Sequence, residues 1–308
     1  MLFLETLDAN LDGRRPQHAR FPEIGERLRA YRLASGLSVD EIAAQLGVSR
    51  AAVYRFEKGE VVKIETIDRL ARLLGVSVPS LLGVGVEYVA SAVAFFERLR
   101  QLEERTDRIS VLFGPVAYLL TSEGYDRALH DVLVESIPPG VPDRKRAEAE
   151  IDAVMEILKR RKETYRERRP GVVSVIAAPE VERFLSGGLV AATRPRASVL
   201  AARRRMARRE MEHVADLMER EPMGVQIGVV LDSLPMTGFH ILRQRDTSVV
   251  AISSFRLGYH PSIRVGMAMI TSAEEALRLH SRVIEDLWAR ALKGKAGARY
   301  LRSLIARR

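Results

Sequence analysis

Ser38-Val39-Asp40-Glu41-Ile42-Ala43-Ala44-Gln45-Leu46-Gly47-Val48-Ser49-Arg50-Ala51-Ala52-Val53-Tyr54-Arg55-Phe56-Glu57-Lys58-Gly59 is the stretch on which the reading of this chain turns. Ser38 followed three residues later by Glu41 is a capping box, in which hydroxyl and carboxylate each satisfy a backbone donor left orphaned at a helix start. Ile42, Ala43 and Leu46 form the inner face of the helix that follows, and the small Ala43 lets a neighbouring helix cross closely. Gly47 supplies a tight turn, Val48 plugs the angle, and Ser49 caps a second helix. On that helix Val53 and Phe56 face inward, while Arg50, Ala51, Tyr54 and Arg55 face out. One helix is thereby held at a steep angle on another, in the geometry that enters a major groove.

Ile24-Gly25-Glu26-Arg27-Leu28-Arg29 lies upstream, and Ile67-Asp68-Arg69-Leu70-Ala71-Arg72-Leu73-Leu74-Gly75-Val76-Ser77 lies downstream. With these flanks the region, about 60 residues, closely resembles the Cro/repressor-type (XRE) helix-turn-helix family. The resemblance implies a five-helix domain over residues 21–83 that lays its third helix in the major groove of a double-stranded DNA operator, generally as half of a homodimer. By position it implies base-facing roles for Arg50, Ala51, Tyr54 and Arg55, and phosphate contacts from Ser38, Ser49, Lys58 and Lys63. The side chains suit those roles. Arginine bonds guanine O6 and N7 bidentately, an alanine methyl meets thymine, and phosphate contacts set register rather than sequence.

Working outward, residues 1–20 show no periodicity and read as a loose arm. Residues 84–110 read as one linking helix, because Val86, Val89, Val93, Phe96 and Leu99 recur at steps of three and four. Such a seam is expected either to join two copies of the chain or to pack on the chain's own C-terminal domain.

Residues 111–308 alternate helical and β-rich runs, so the fold class expected is α+β overall: an all-α head, a linking helix and a mixed α/β body. Helices are expected at Asp143 to about Arg168, from Pro179 to Gly187-Gly188, at Pro195–Glu221 and at Glu274–Leu292. Strands are expected at Val172–Ile176, Val225–Leu231, Gly238–Arg243, Ser248–Ser253 and Ser262–Met269. Gly224–Gly294, with its strands and the terminal Leu287-Trp288-Ala289-Arg290-Ala291, faintly resembles non-catalytic phospholipase D-like sensor domains. A catalytic member would need His-x-Lys, but Leu242 follows His240 and Ser262 follows His260 at that spacing.

Composition bounds the rest. The chain has 308 residues, 47% apolar and 29% charged, with no cysteine. Thiol catalysis and cysteine-ligated metal sites are excluded, and a reducing cytoplasm is the expected location. No apolar run reaches the length of a membrane span. No phosphate loop and no Gly-x-Ser-x-Gly elbow occurs, and His18, His130, His213, His240, His260 and His280 lack metal spacing. The expectation is a protein with no catalytic residues, no metal and no cofactor, whose body over residues 111–308 senses a small effector, an anionic one if basic clusters such as Arg203-Arg204-Arg205 line a pocket; the alternative is a non-sensing repressor or antitoxin-like protein whose body binds a protein partner or only oligomerises. The formal charge is +9, of which +7 falls in residues 222–308, outside the predicted DNA-reading head.

Overall fold

The computed structural model describes residues 22–60, 63–191, 195–232, 234, 238–258 and 261–307. The arm read at residues 1–20, with His18, lies outside the described residues, as does His260.

The head comprises α1 (Pro22–Ser35), α2 (Val39–Leu46), α3 (Arg50–Glu57), α4 (Ile64–Leu74) and α5 (Val78–Leu82). Its joints are local chemistry. Ser38, Ser49 and Ser77 cap α2, α3 and α5 through their hydroxyls, and Gly47 ends α2 at φ 67°, a left-handed conformation costly for any residue with a Cβ. Leu28, Tyr31, Ile42, Leu46, Val53, Leu70 and Leu81 fill the centre of the head.

The body follows as β1 (Val86–Val89), α6 (Ala92–Glu103), β2 (Thr106–Leu112), a 3-10 turn at Tyr118–Leu120, α7 (Glu123–Glu135), α8 (Arg144–Arg168), β3 (Gly171–Ala177), α9 (Ala178–Gly187), α10 (Ala197–Arg220), β4 (Val225–Val230), β5 (Gly238–Gln244), β6 (Ser248–Ser253), β7 (Ala268–Thr271), α11 (Glu274–Arg290), β8 (Leu292–Lys293) and α12 (Gly294–Ala306). Among the described residues the eight strands join one mixed sheet in the order β1-β7-β6-β5-β2-β3-β4-β8. β2, β3 and β4 run parallel, and the other neighbours are antiparallel. On one face α11 sets Ile284 and Leu287 on Leu112, Val175, Phe239, Ile241 and Val250. The opposite face carries the larger core, to which α6, α8, α9, α10 and α12 contribute. The chain is thus a helical head on a three-layer α/β body.

The linking helix expected over residues 84–110 is not formed. Gly83 and Gly85 at φ 72° and 76° break the chain, Val86–Val89 pairs as a strand, Ser91 caps α6, and the chain turns into β2 after Glu104. The seam also does not face outward: Val89, Val93, Phe96 and Leu99 are 1%, 7%, 3% and 0% exposed inside the chain's own core, and Val86 is half-buried at the sheet edge. A strand followed by a helix reproduced, across their junction, the spacing of a heptad. The strand expected at Ser262–Met269 is also shifted, to Ala268–Thr271, with only a bridge between Ser262 and Arg256 before it.

Several cations of the basic stretches are met by carboxylates, while Arg204 and Arg208 donate to the Ser186 and Ile305 carbonyls. Arg144, Arg146 and Arg160 pair with Glu148, Glu150 and Glu156 one helical turn away, Arg203 pairs with Glu135, and Arg302 is shared by Glu212, Asp216 and Glu219.

The head is fastened to the body through charge. Glu87 of β1, 2% exposed, accepts from Arg98 Nε at 2.9 Å and Nη2 at 3.3 Å, from Arg27 Nε at 3.1 Å and from the Tyr31 hydroxyl at 3.1 Å. Arg98 Nη1 donates to Gln101 Oε1 at 2.6 Å, Gln101 Nε2 donates to the Glu26 carbonyl at 3.0 Å, and Arg105 pairs with Glu26. Burial, then the Glu87 carboxylate, push the Tyr31 pKa up, so its hydroxyl stays a donor. α1 therefore lies against α6 and β1 with its polar groups matched.

Candidate nucleic-acid interface

The exposed side of α3 presents Arg50, Ala51, Tyr54 and Arg55 together, at helix positions i, i+1, i+4 and i+5, with Ala52 and Val53 buried beneath. The residues read from sequence as base-facing share one open surface.

Two features fix that surface. Gly25 of α1 packs so closely beneath α3 that a Cβ there would stand 2.5 Å from the Glu57 carbonyl oxygen and the Gly59 nitrogen. Arg32 on the same helix grips the Glu57 carboxylate at the end of α3 with Nε and Nη2. The scaffold sits behind α3, and its charged face is free.

The charges on that face are tethered. Arg50 Nη1 lies 3.3 Å from Asp40 Oδ2, its Nη2 donates to the Tyr54 hydroxyl at 3.4 Å, and the guanidinium stands 5.7 Å from the Tyr54 ring centroid. Arg55 Nε lies 3.7 Å from Glu60 Oε2. Sequence reasoning missed Asp40 and Glu60, which pair with the two arginines. Asp40 stands ten residues before Arg50, a spacing that only the turn at Gly47 converts into contact.

The expected phosphate contacts divide. Lys58 and Lys63 are exposed and carry no ion pair among the described residues. Ser49 is exposed; its oxygen accepts from Ala52 N. Ser38 is spent: its N–H and its hydroxyl both donate to Glu41 Oε2, at 2.7 and 2.8 Å, and its oxygen accepts from Glu41 N at 3.2 Å. Those hydrogen bonds also hold the Glu41 carboxyl below its usual pKa, so an anion occupies this end of α2. Ser38→Ala is therefore expected to cost about 1 kcal/mol of stability, read by thermal unfolding, and to leave DNA affinity unchanged. A loss of affinity at unchanged stability would restore Ser38 as a phosphate contact.

A family model described as a helix-turn-helix domain matches residues 23–82. Residues 23–82 are a helix-turn-helix domain. The curated "Putative HTH-type transcriptional regulatory protein" of Pyrobaculum aerophilum is 34% identical over 92 residues, which is 28% of this chain and 37% of the relative's length. The chain thus spans little more than a third of the relative that it matches. Among solved structures, that of TrmBL2, an archaeal chromatin protein, aligns over 86% of this chain and 92% of its own at 10% identity and a TM-score of 0.32, too shallow a likeness to carry an argument. The helix-turn-helix domain contains every residue placed on the α3 face, and α3 is the second helix of its α2-turn-α3 unit. Among the described residues no helix is long and apolar enough to cross a membrane.

Proposed function

We propose that this chain is a sequence-specific DNA-binding transcriptional regulator of the cytoplasm, acting as a homodimer, whose body senses a small molecule and performs no catalysis. The observation that carries the reading is the α3 face: Arg50, Ala51, Tyr54 and Arg55 exposed together on a helix seated from behind by Gly25 and Arg32. Arg50 and Arg55 are the bidentate readers of guanine, Ala51 the apolar contact, and Lys58, Lys63 and Ser49 the phosphate contacts that set register. Asp40 and Glu60 release their arginines to the bases on binding.

Two copies place two α3 helices one DNA turn, about 34 Å, apart. The buried Val89–Leu99 seam leaves that pairing to another surface. The ion pairs of Arg144, Arg146, Arg160 and Arg203 weigh against an anionic effector gathered by these arginines.

The test is Arg50→Ala against an operator selected from random DNA. Specific affinity is expected to fall about ten- to a hundredfold, with a far smaller loss on random duplex and relaxed preference at one base position. Equal losses on both DNAs would reduce Arg50 to a backbone contact and remove the base-reading assignment.

A further inference from the structure

Between the sheet and α6, α7 and α8 lies a cavity walled by Phe95, Phe96, Phe113, Tyr118, Tyr125 and Phe255. That is a third of all the phenylalanine, tyrosine and tryptophan in the chain, gathered on one small space. Four buried side-chain polar atoms among the described residues have no hydrogen-bond partner, and two of them, the Tyr118 hydroxyl and His240 Nδ1, belong to residues lining this cavity. Asp126 bears on the Tyr118 hydroxyl without hydrogen-bond geometry. A buried polar atom left without a partner costs about 1–3 kcal/mol, so two at one apolar cavity call for an occupant that supplies the missing bonds.

The charges around the cavity set the chemistry of that occupant. Arg161 donates to both oxygens of Glu103, at 2.9 and 2.7 Å, and stacks 5.7 Å from the Phe96 and Tyr118 rings. Lys162 is held by Asp126 at 2.8 and 2.9 Å. Burial, and after it Arg161, push the His240 pKa down to about 3, so its ring is neutral near pH 7. Of the described residues that line the cavity Arg161 alone is charged, and Glu103 neutralises it. The cavity holds about 30 Å³, the room of one or two waters, so a bound ring requires its wall to yield. Phe113, the first residue past β2, has its ring 5.2 Å from that of His240 and is the one of these six aromatic walls that is only half-buried.

We propose that this cavity is a binding site for a small, uncharged aromatic molecule bearing one hydroxyl or ring N–H, its ring among the phenylalanines and its polar group on His240 Nδ1 and the Tyr118 hydroxyl. The proposal rests on the reading of the body as a sensor, and it names the site and ligand class of that sensor. α6 gives it a path to the head, since Phe95 and Phe96 wall the cavity while Arg98 and Gln101 of the same helix hold Glu87 and α1.

The experiment uses the full chain labelled with 15N-histidine and three probes: phenol, benzene and benzoate. Phenol at millimolar concentration is expected to raise the Tm by a few degrees and to move the His240 ring resonances, assigned by their loss in His240→Phe; benzoate is expected to do neither. Tyr118→Phe, which removes only an unpartnered hydroxyl, is expected to weaken phenol several-fold and leave benzene unchanged. Phenol without effect on His240, benzoate binding better than phenol, or a Tyr118→Phe variant that binds phenol undiminished would each overturn the assignment. None of these measurements needs DNA. Silence toward phenol with operator binding intact ends the cavity proposal alone, and phenol binding without operator binding ends the regulator reading alone.

Discussion

Glu87→Gln is expected to cost about 3–5 kcal/mol of folding free energy, read from urea unfolding followed by circular dichroism. The carboxylate is the acceptor shared by two guanidinium groups at the seam: Arg98, 2% exposed at its side chain, which otherwise donates to Gln101 and lies 3.9 Å from Glu26, and Arg27, 11% exposed, which otherwise reaches Glu23 and the Leu82 carbonyl. Glutamine keeps the shape but replaces one accepting oxygen with an N–H directed at N–H donors, and it takes the nearest counter-ion, at 2.9 Å, from the buried Arg98. Breaking one partner of a buried pair is far costlier than replacing the whole pair, so Glu87→Met with Arg98→Met should recover much of the loss. Hydrogen exchange should speed up first in α1 and α6, which the network joins. A loss under 1 kcal/mol would mean that the seam is solvated and the head loosely tethered.

The second large effect is Leu99→Ala, expected to cost about 2–5 kcal/mol while leaving the dependence of the unfolding midpoint on protein concentration the same as in the wild type. Leu99 is 0% exposed in the core beneath the sheet, beside Phe95, Phe96 and Ile109. Truncation leaves a cavity there that rigid strands cannot close. A midpoint rising with concentration in the wild type and losing that dependence in the variant would return the seam to an interface between copies.

These two sites show where the sequence was readable. The head was legible because its instructions are local: Ser38 with Glu41, Gly47 after Leu46 and Ser49 before Arg50 each act within four residues. Strands β3 to β6 were legible as β-branched runs between turn residues, and α8 and α10 as long periodic stretches. β1 was not, because four residues give alternation no length to show itself, and α6 completed a false heptad. Nor were α7 and α12 singled out.

Glu87 gave no local signal at all. A lone glutamate between valines and a tyrosine becomes the anchor of the head only when α1 and α6 arrive from either side. The cavity was equally hidden, since its walls come from residue 95 to residue 258 and only the fold assembles them. The α3 face was read correctly as a surface but not as an electrostatic state: Asp40 and Glu60 engage Arg50 and Arg55 through the turns that separate them.

β1 has a further consequence, in the order in which the chain is made. It leaves the head just beyond Leu82, yet its hydrogen-bonding partner is β7, with Val86 opposite Thr271. A ribosome finishes the whole α3 surface long before it reaches Thr271, and contacts between such distant residues form late. Until then the head has α6 beside it but no sheet behind β1 to hold it. A chain cut short anywhere before β7 therefore carries an intact α3 face without the strand that fixes its orientation, so the anchoring of the head is a signature of a completed body.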